Sequence, residues 1–344
     1  MESIRRRLLD GEQVRVPHTP FLVRRPRREF GQNAGHYVKC ELGDQTGWIE
    51  AVWWGAGRLG QPALEKLMAA QVWSVAGTAS LSRYGGRETS QIKVDAAEPL
   101  DAADPAAIPG LVRRSASSEE ELGNWLSAQI ATVQRAPLRL LLEETLGERG
   151  PWRVPFLRAP AGLYYHHPYV GGLADHVREM ASIWTASSFV LPGVDRELTL
   201  AGILLHDVGK LDCYAPGPAP QLSRTGRFTD HITSGIARLS LAIDRQADFP
   251  EPLRDHLLHI VASHHGEKEH GSPIVPATRE AVVVHHLDRL TSLLSHFDEW
   301  ARQSGLDPHG WSTENSPWLK ARLAIRPEMC DAGPEDDGGY DAPR

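Results

Sequence analysis

Along residues 18–100 apolar and polar positions alternate in short runs, and the apolar members are mostly β-branched or aromatic. Phe21 to Val23, His36 to Leu42, Trp48 to Trp53, Val72 to Gly77 and Thr89 to Val94 each fit a pleated strand whose successive side chains face opposite sides. Gly-Asp, Thr-Gly and Gly-Gly pairs separate several of them as turns. Between the third and fourth runs the period lengthens at Ala63 to Met68, which predicts one helix. From Ser118 onward the helical period takes over. Ser118 and Glu121 form a capping box ahead of an apolar stripe at Leu122, Trp125, Leu126 and Val133, and Pro137 is expected to kink or end that helix. Helices continue to about residue 325, interrupted by Pro/Gly-rich loops at 150–172 and 215–227.

Five strands with a helix between the third and fourth is the order of an OB-fold barrel. The expected fold class is therefore multidomain: a five-stranded OB-fold β-barrel followed by an all-α domain. The expected boundaries are an N-terminal segment 1–17, the barrel 18–100, a Pro/Ala/Asp-rich linker 101–117, the helical domain 118–325, and an acidic, glycine-rich tail 326–344 read as disordered. A length of 344 residues agrees with two cores rather than one. The N-terminus lacks the apolar core of a signal peptide and no run of about 18 apolar residues occurs, so the chain reads as cytosolic with no membrane partner. Cys40, Cys213 and Cys330 are too scattered for a disulfide framework or a thiolate zinc site. The net charge of −7 excludes a uniformly basic nucleic-acid binder, yet it is uneven: residues 1–100 carry 14 Lys+Arg against 11 Asp+Glu, leaving 23 against 33 for the rest.

That acidic remainder also holds fourteen of the sixteen histidines. His176 falls on the apolar stripe of its helix with Leu173 and Met180. An almost wholly apolar segment, Ala201 to Leu205, ends in His206-Asp207 and continues to Gly209-Lys210. His231 follows, then His264 at the end of the stripe Leu257, Ile260, Val261, with His265 beside it, and Asp288 within an apolar helix. Taken singly, each is as well explained as a hydrogen-bonded core or surface group. Together, five segments carrying imidazoles or carboxylates on inward faces point to a divalent metal, since buried polar groups are costly unless coordinated or paired.

In order and spacing, His176, His206-Asp207 and Asp288 resemble the metal signature of the HD superfamily of phosphohydrolases. With His231, His264 and His265 the set is similar to the two-metal subset. The wording around it, from His166-His167 through Gly171-Gly172-Leu173 to His176, Leu205 to Lys210, Ser263 to Gly266 and Gly271 to Pro273, resembles the YhaM-type 3′-to-5′ exoribonucleases. Those enzymes carry an OB-fold ahead of the HD domain, and Asp44 to Ala51 with Trp54 is similar to their barrel motif. Ala174-Asp175 replaces the Leu-Glu usual before the first ligand, and 215–227 is unusually proline-rich.

The resemblance implies a metal-dependent exonuclease that releases nucleoside 5′-monophosphates from single-stranded RNA, and by the same chemistry DNA. One ion would take His176, His206 and Asp288, the other His231, His264 and His265, with Asp207 touching both. Manganese is favoured, and the all-His/Asp set also suits iron, zinc or magnesium. Asp207 and Lys210 are the expected catalytic residues, Lys210 neutralising charge on the phosphoryl group or protonating the leaving oxygen; the plain alternative is a solvated lysine at a helix end. His166 and His167 would contact substrate or support the ligands, and His285, one turn from Asp288, would support a ligand. On the barrel, Arg24, Arg25, Arg27 and Arg28 offer a basic run, and Trp48, Trp54 and Tyr84 offer stacking faces for a single strand. Trp53 and Trp54 should face opposite sides of their strand. A homo-oligomer is compatible with the sequence. Competing readings are a phosphohydrolase of a small nucleotide or cyclic dinucleotide, and a single-strand-binding factor with a vestigial site.

Overall fold

The computed structural model describes residues 1–31, 35–84, 87–100, 108, 110–215 and 217–326. A short helix α1 (Glu2–Leu9) precedes five strands, β1 (Val14–Gly31), β2 (Gly35–Asp44), β3 (Gly47–Trp53), β4 (Val72–Tyr84) and β5 (Arg87–Pro99), with α2 (Gln61–Ala69) between β3 and β4. The strands close into a barrel in the order β1-β2-β3-β5-β4, with a parallel β3–β5 seam at Glu50 to Val52 against Gln91 to Lys93. Closure depends on the length of β1, whose first half pairs with β4 and whose second half pairs with β2. Two register shifts, at Val16/Thr19 and Arg24/Arg27, bend it between these neighbours. β1 thus begins well before the apolar run at Phe21, because Val14 and Val16 already alternate into the core. The interior is filled by side chains such as Val38, Leu42, Ile49, Trp73, Val75 and Ile92, while α2 plugs one end with Leu64 and Leu67 and accepts the Trp73 indole N–H at the Leu67 carbonyl (2.8 Å).

The helical part comprises α3 (Glu119–Thr132), α4 (Ala136–Leu146), α5 (Arg153–Arg158), α6 (Gly172–Ser187), α7 (Arg196–Leu205), α8 (Lys210–Cys213), α9 (Arg224–Phe228), α10 (His231–Ile243), α11 (Glu251–Ser263) and α12 (Arg279–Gln303), with a two-residue hairpin, β6 (Tyr214–Ala215) and β7 (Gln221–Leu222). The Ser118/Glu121 capping box forms in both directions. Pro137 does not kink α3, which has ended at Thr132; it sits in the first turn of α4, where its missing N–H costs nothing. Both expected loops contain short elements, α5 in the first and β6, β7 and α9 in the second. One continuous apolar core runs through α3–α7 and α10–α12.

A third, small cluster joins the two parts: Leu22 and Val72 of the barrel meet Leu111, Val112 and Ala219, with Trp48 and Val170 packed alongside. The described residues of the expected linker are therefore packed, with the Gln45 N–H donating to the Gly110 carbonyl (3.0 Å) and Arg114 bridged to Val170. Residues 101–107 and 109, and the expected tail beyond Arg326, lie outside the described residues. Among the described residues no helix is long and apolar enough to cross a membrane.

Candidate metal centre

Five helical segments bring the seven expected ligands to one place. His176 lies in the second turn of α6, His206 caps α7 with Asp207 next, His231 opens α10 behind its N-cap Asp230, His264 caps α11 beside His265, and Asp288 lies on α12. His176, His206, Asp207, His264 and Asp288 are buried, and His231 and His265 half-buried.

The Asp207 carboxylate divides the centre. Its Oδ2 faces the Nε2 atoms of His206 (3.2 Å) and His176 (3.9 Å), and its Oδ1 faces those of His231 (3.5 Å) and His264 (3.7 Å). Asp288 Oδ1 lies 3.3 Å from His176 Nε2, so His176, His206 and Asp288 form one compact set of donors, and His231, His264 and His265 another. Each set could hold a divalent ion, with Asp207 reaching both.

The rings are oriented for it. His206 Nδ1 donates to the Ile203 carbonyl (2.9 Å), His264 Nδ1 to the Val261 carbonyl (2.7 Å) and His265 Nδ1 to the His270 carbonyl (2.8 Å), while His176 Nδ1 rests on Thr291 Oγ1 (3.3 Å), whose hydroxyl donates to the Leu287 carbonyl. With the proton held at Nδ1, the Nε2 lone pair is left pointing at the centre, the tautomer that binds metal. The consequence is a set of buried polar atoms without hydrogen bonds: both Asp207 oxygens and Nε2 of His231 and His264. Such orphans are rare and costly in a folded protein; Oδ2 has the Lys210 ammonium beside it, and a bound cation would satisfy Oδ1 and the two ring nitrogens.

Charge states agree. Burial lowers His176 to about 4 and His231 to about 3, and pushes His264 well below the ordinary imidazole value. Burial would raise the Asp207 carboxyl, but the Lys210 ammonium and His206 outweigh it and hold it well below the usual carboxylate range. Asp288 is likewise held low against burial by His176. The centre therefore presents neutral imidazoles and ionised carboxylates, as ligation requires. His206 is the exception, raised because Asp207 outweighs its burial.

Lys210 is no solvated helix-end lysine: it is buried, with Nζ 2.5 Å from Asp207 Oδ2. His285 donates from Nδ1 to the His264 carbonyl (2.8 Å), and its ring fills the space where a side chain on Gly266 would stand. His166 and His167 are buried beside His176, His166 with ring centroids 4.2 Å apart, and the three could share an ion.

The barrel residues do not join this cluster. Arg24 is largely buried in an ion pair with Glu41 and lies over the half-buried Trp48 (4.2 Å), which places both at the junction. Arg25 stacks on Tyr164 (3.8 Å). Arg27 pairs with Glu29, and Arg28 reaches Gln61 and His36. Trp53 is core, whereas Trp54, one residue past the end of β3, is 47% exposed and lies against Tyr37 (4.3 Å). The side chain of Tyr84 lies outside the described residues. Three contributors were not singled out from sequence: Thr291, Glu179 and Tyr164. The first two lie one turn from Asp288 and His176 on their helices, a spacing that could have flagged them. Tyr164 carried no such signal.

Residues 170–293 match the HD domain family. Over 290 residues the chain is 29% identical to the 3′-5′ exoribonuclease YhaM of Bacillus velezensis, covering 84% of this chain and 87% of that protein.

Proposed function

From a chain that carries an HD domain and resembles a YhaM exoribonuclease along most of its length, we propose a metal-dependent nuclease that removes nucleoside 5′-monophosphates from the 3′ end of single-stranded RNA, with single-stranded DNA as a second substrate. One observation carries this reading: the two oxygens of Asp207 address two separate pairs of imidazoles, Oδ2 facing His176 and His206 and Oδ1 facing His231 and His264. That arrangement suits a pair of divalent ions a carboxylate apart. Bound there, such ions supply the Lewis acidity that activates water at neutral pH and neutralises a phosphoryl group during in-line displacement. The donors are nitrogen and oxygen without thiolate, which suits manganese or iron and tolerates zinc or magnesium.

The protein's own share is positional. Asp207 is fixed on one side by Lys210, which adds a buried positive charge near the place where phosphoryl charge would develop. Hydrogen bonds donated from Nδ1 to backbone carbonyls lock the His206, His264 and His265 rings, and the apolar core packs beneath the centre.

Purified protein with manganese and 5′-labelled RNA or DNA should give a ladder shortened from the 3′ end. Asp207→Asn, which keeps shape but removes charge, should lower kcat on the order of 10²–10³-fold. Intact strands with every divalent metal tried, or unchanged kcat in the variant, would refute the assignment. Faster turnover of a cyclic dinucleotide than of any strand would replace it.

A further inference from the structure

Four non-glycine residues among those described have left-handed backbone, and three of them, Arg25 (φ 51°), His166 (φ 69°) and His167 (φ 52°), fall in one chain of contacts. Side chains with a Cβ avoid this region, and where they occupy it the surroundings must impose it. At one end, β1 bulges between Arg24 and Arg27, which aims Arg25 away from the barrel and onto the helical part. Its guanidinium lies 3.8 Å over the Tyr164 ring, and Nε donates to the Tyr164 hydroxyl (2.9 Å); Glu41 anchors the same guanidinium at 3.1 Å.

Beyond Tyr164, the segment is clamped from other sides. Tyr165 meets His296 edge to face (4.6 Å), and the His167 N–H donates to Ser295 Oγ (2.9 Å), both on α12. The segment rides on two glycines: a Cβ on Gly162 would overlap the Tyr165 carbonyl, and one on Gly172 the His167 carbonyl. The other end delivers His166 and His167 against His176. His167 Nε2 contacts Glu179 Oε1 (3.1 Å), while Nδ1 of both histidines is buried without a partner. A barrel bulge, a stacked tyrosine and two strained histidines thus form one connection ending beside the metal centre.

We propose that Tyr164–His167 is a strap through which the barrel positions the metal centre, with Arg25 and Tyr164 as positioning residues and His166 presenting its free ring nitrogen to an oxygen of the bound phosphodiester. This rests on the phosphodiesterase reading above. Arg25 then serves the chemistry through the strap and does not grip the strand, and the barrel has a role even for a substrate too small to touch it.

The test uses full-length protein loaded with manganese, a small diester, bis(4-nitrophenyl) phosphate, and a short 5′-labelled RNA. Arg25→Ala and Tyr164→Ala are expected to lower kcat for the small diester about tenfold, the scale of a catalytic group displaced by a fraction of an ångström. KM and bound metal should stay at wild-type values, and Tyr164→Phe, which keeps the ring, should fall between. His166→Ala should lose at least as much, and Arg25→Ala added to it should lose no more, because both act through one group. Wild-type kcat on the small diester in Arg25→Ala and Tyr164→Ala, with only the RNA KM raised, overturns the strap and makes Arg25 a strand contact. A third equivalent of metal that His166→Ala removes overturns the role given to His166. Wild-type protein inert toward both substrates refutes the phosphodiesterase reading itself, a result distinct from either.

Discussion

Asp207 shows how much one side chain decides when its neighbours are fixed. Its oxygens lie among four imidazoles and one ammonium, two imidazoles to each oxygen and the ammonium on Oδ2. The residue types were legible in the sequence, because imidazoles and carboxylates interrupt the apolar stripes of five segments together. Which oxygen meets which ring was not, since that depends on Nδ1 hydrogen bonds to carbonyls and to Thr291. The same burial sets a pH response in metal-free protein. His176 and His231 have folded values of about 4 and about 3, below the ordinary 6.5 of the unfolded chain. In that window the unfolded state binds more protons, so stability is complete above 6.5 and is lost as pH falls toward those values. Asp207 and Asp288, held low, add loss further down. His206, raised, contributes in the opposite sense, its share present at low pH and fading as pH rises through its folded value. Thermal melting of the metal-free protein should therefore fall steadily from about pH 7 to about pH 5; a flat profile would show that these rings are not held neutral by the fold.

Helices carry the ligands here by their ends as much as by their faces. His206 and His264 cap α7 and α11, and His231 opens α10, so placement depends on how closely helix termini approach. Gly209 makes one approach possible: a Cβ there would overlap the His231 carbonyl and the Gly235 N–H. Gly209→Ala should push α10 away from Asp207, withdrawing His231, and cost about 1–3 kcal/mol as an overpacked contact. At about 2–4 °C per kcal/mol for a domain of this size, melting should show it, and metal content should fall with it. Wild-type melting and metal content together would mean that the termini are not in register as described. Apolar period gave the helices themselves, but the end of α3 at Thr132 shows its limit: stripe and cap predict where a helix can run, and Pro137 starts the next one.

Across the whole molecule, barrel and helical part meet through the Leu22, Val72, Leu111, Val112 and Ala219 cluster and the Arg25–Tyr164 stack. Of the basic run on β1, Arg24 is drawn into the junction by Glu41, whereas Arg27, paired with Glu29, and Arg28 stay exposed. Trp54, 47% exposed against Tyr37, is the described aromatic of the original set that remains open. Trp54→Ala should raise the KM for RNA about fivefold or more, the worth of one stacked base, and leave turnover of a small diester unchanged. A fall in small-diester kcat would place Trp54 in the structure of the barrel instead.

The five strands with a helix between the third and fourth, the helical part that follows them and the seven candidate ligands were legible in the sequence alone, because period, turn residues and ligand chemistry are local properties. The tertiary structure decided the rest. It stacked Arg24 on Trp48 beside Glu41, buried Lys210 on Asp207, and brought Tyr164 to Arg25 across the domain boundary. Those outcomes depend on contacts between residues far apart in the chain, and exposure and pairing across such distances follow only from packing.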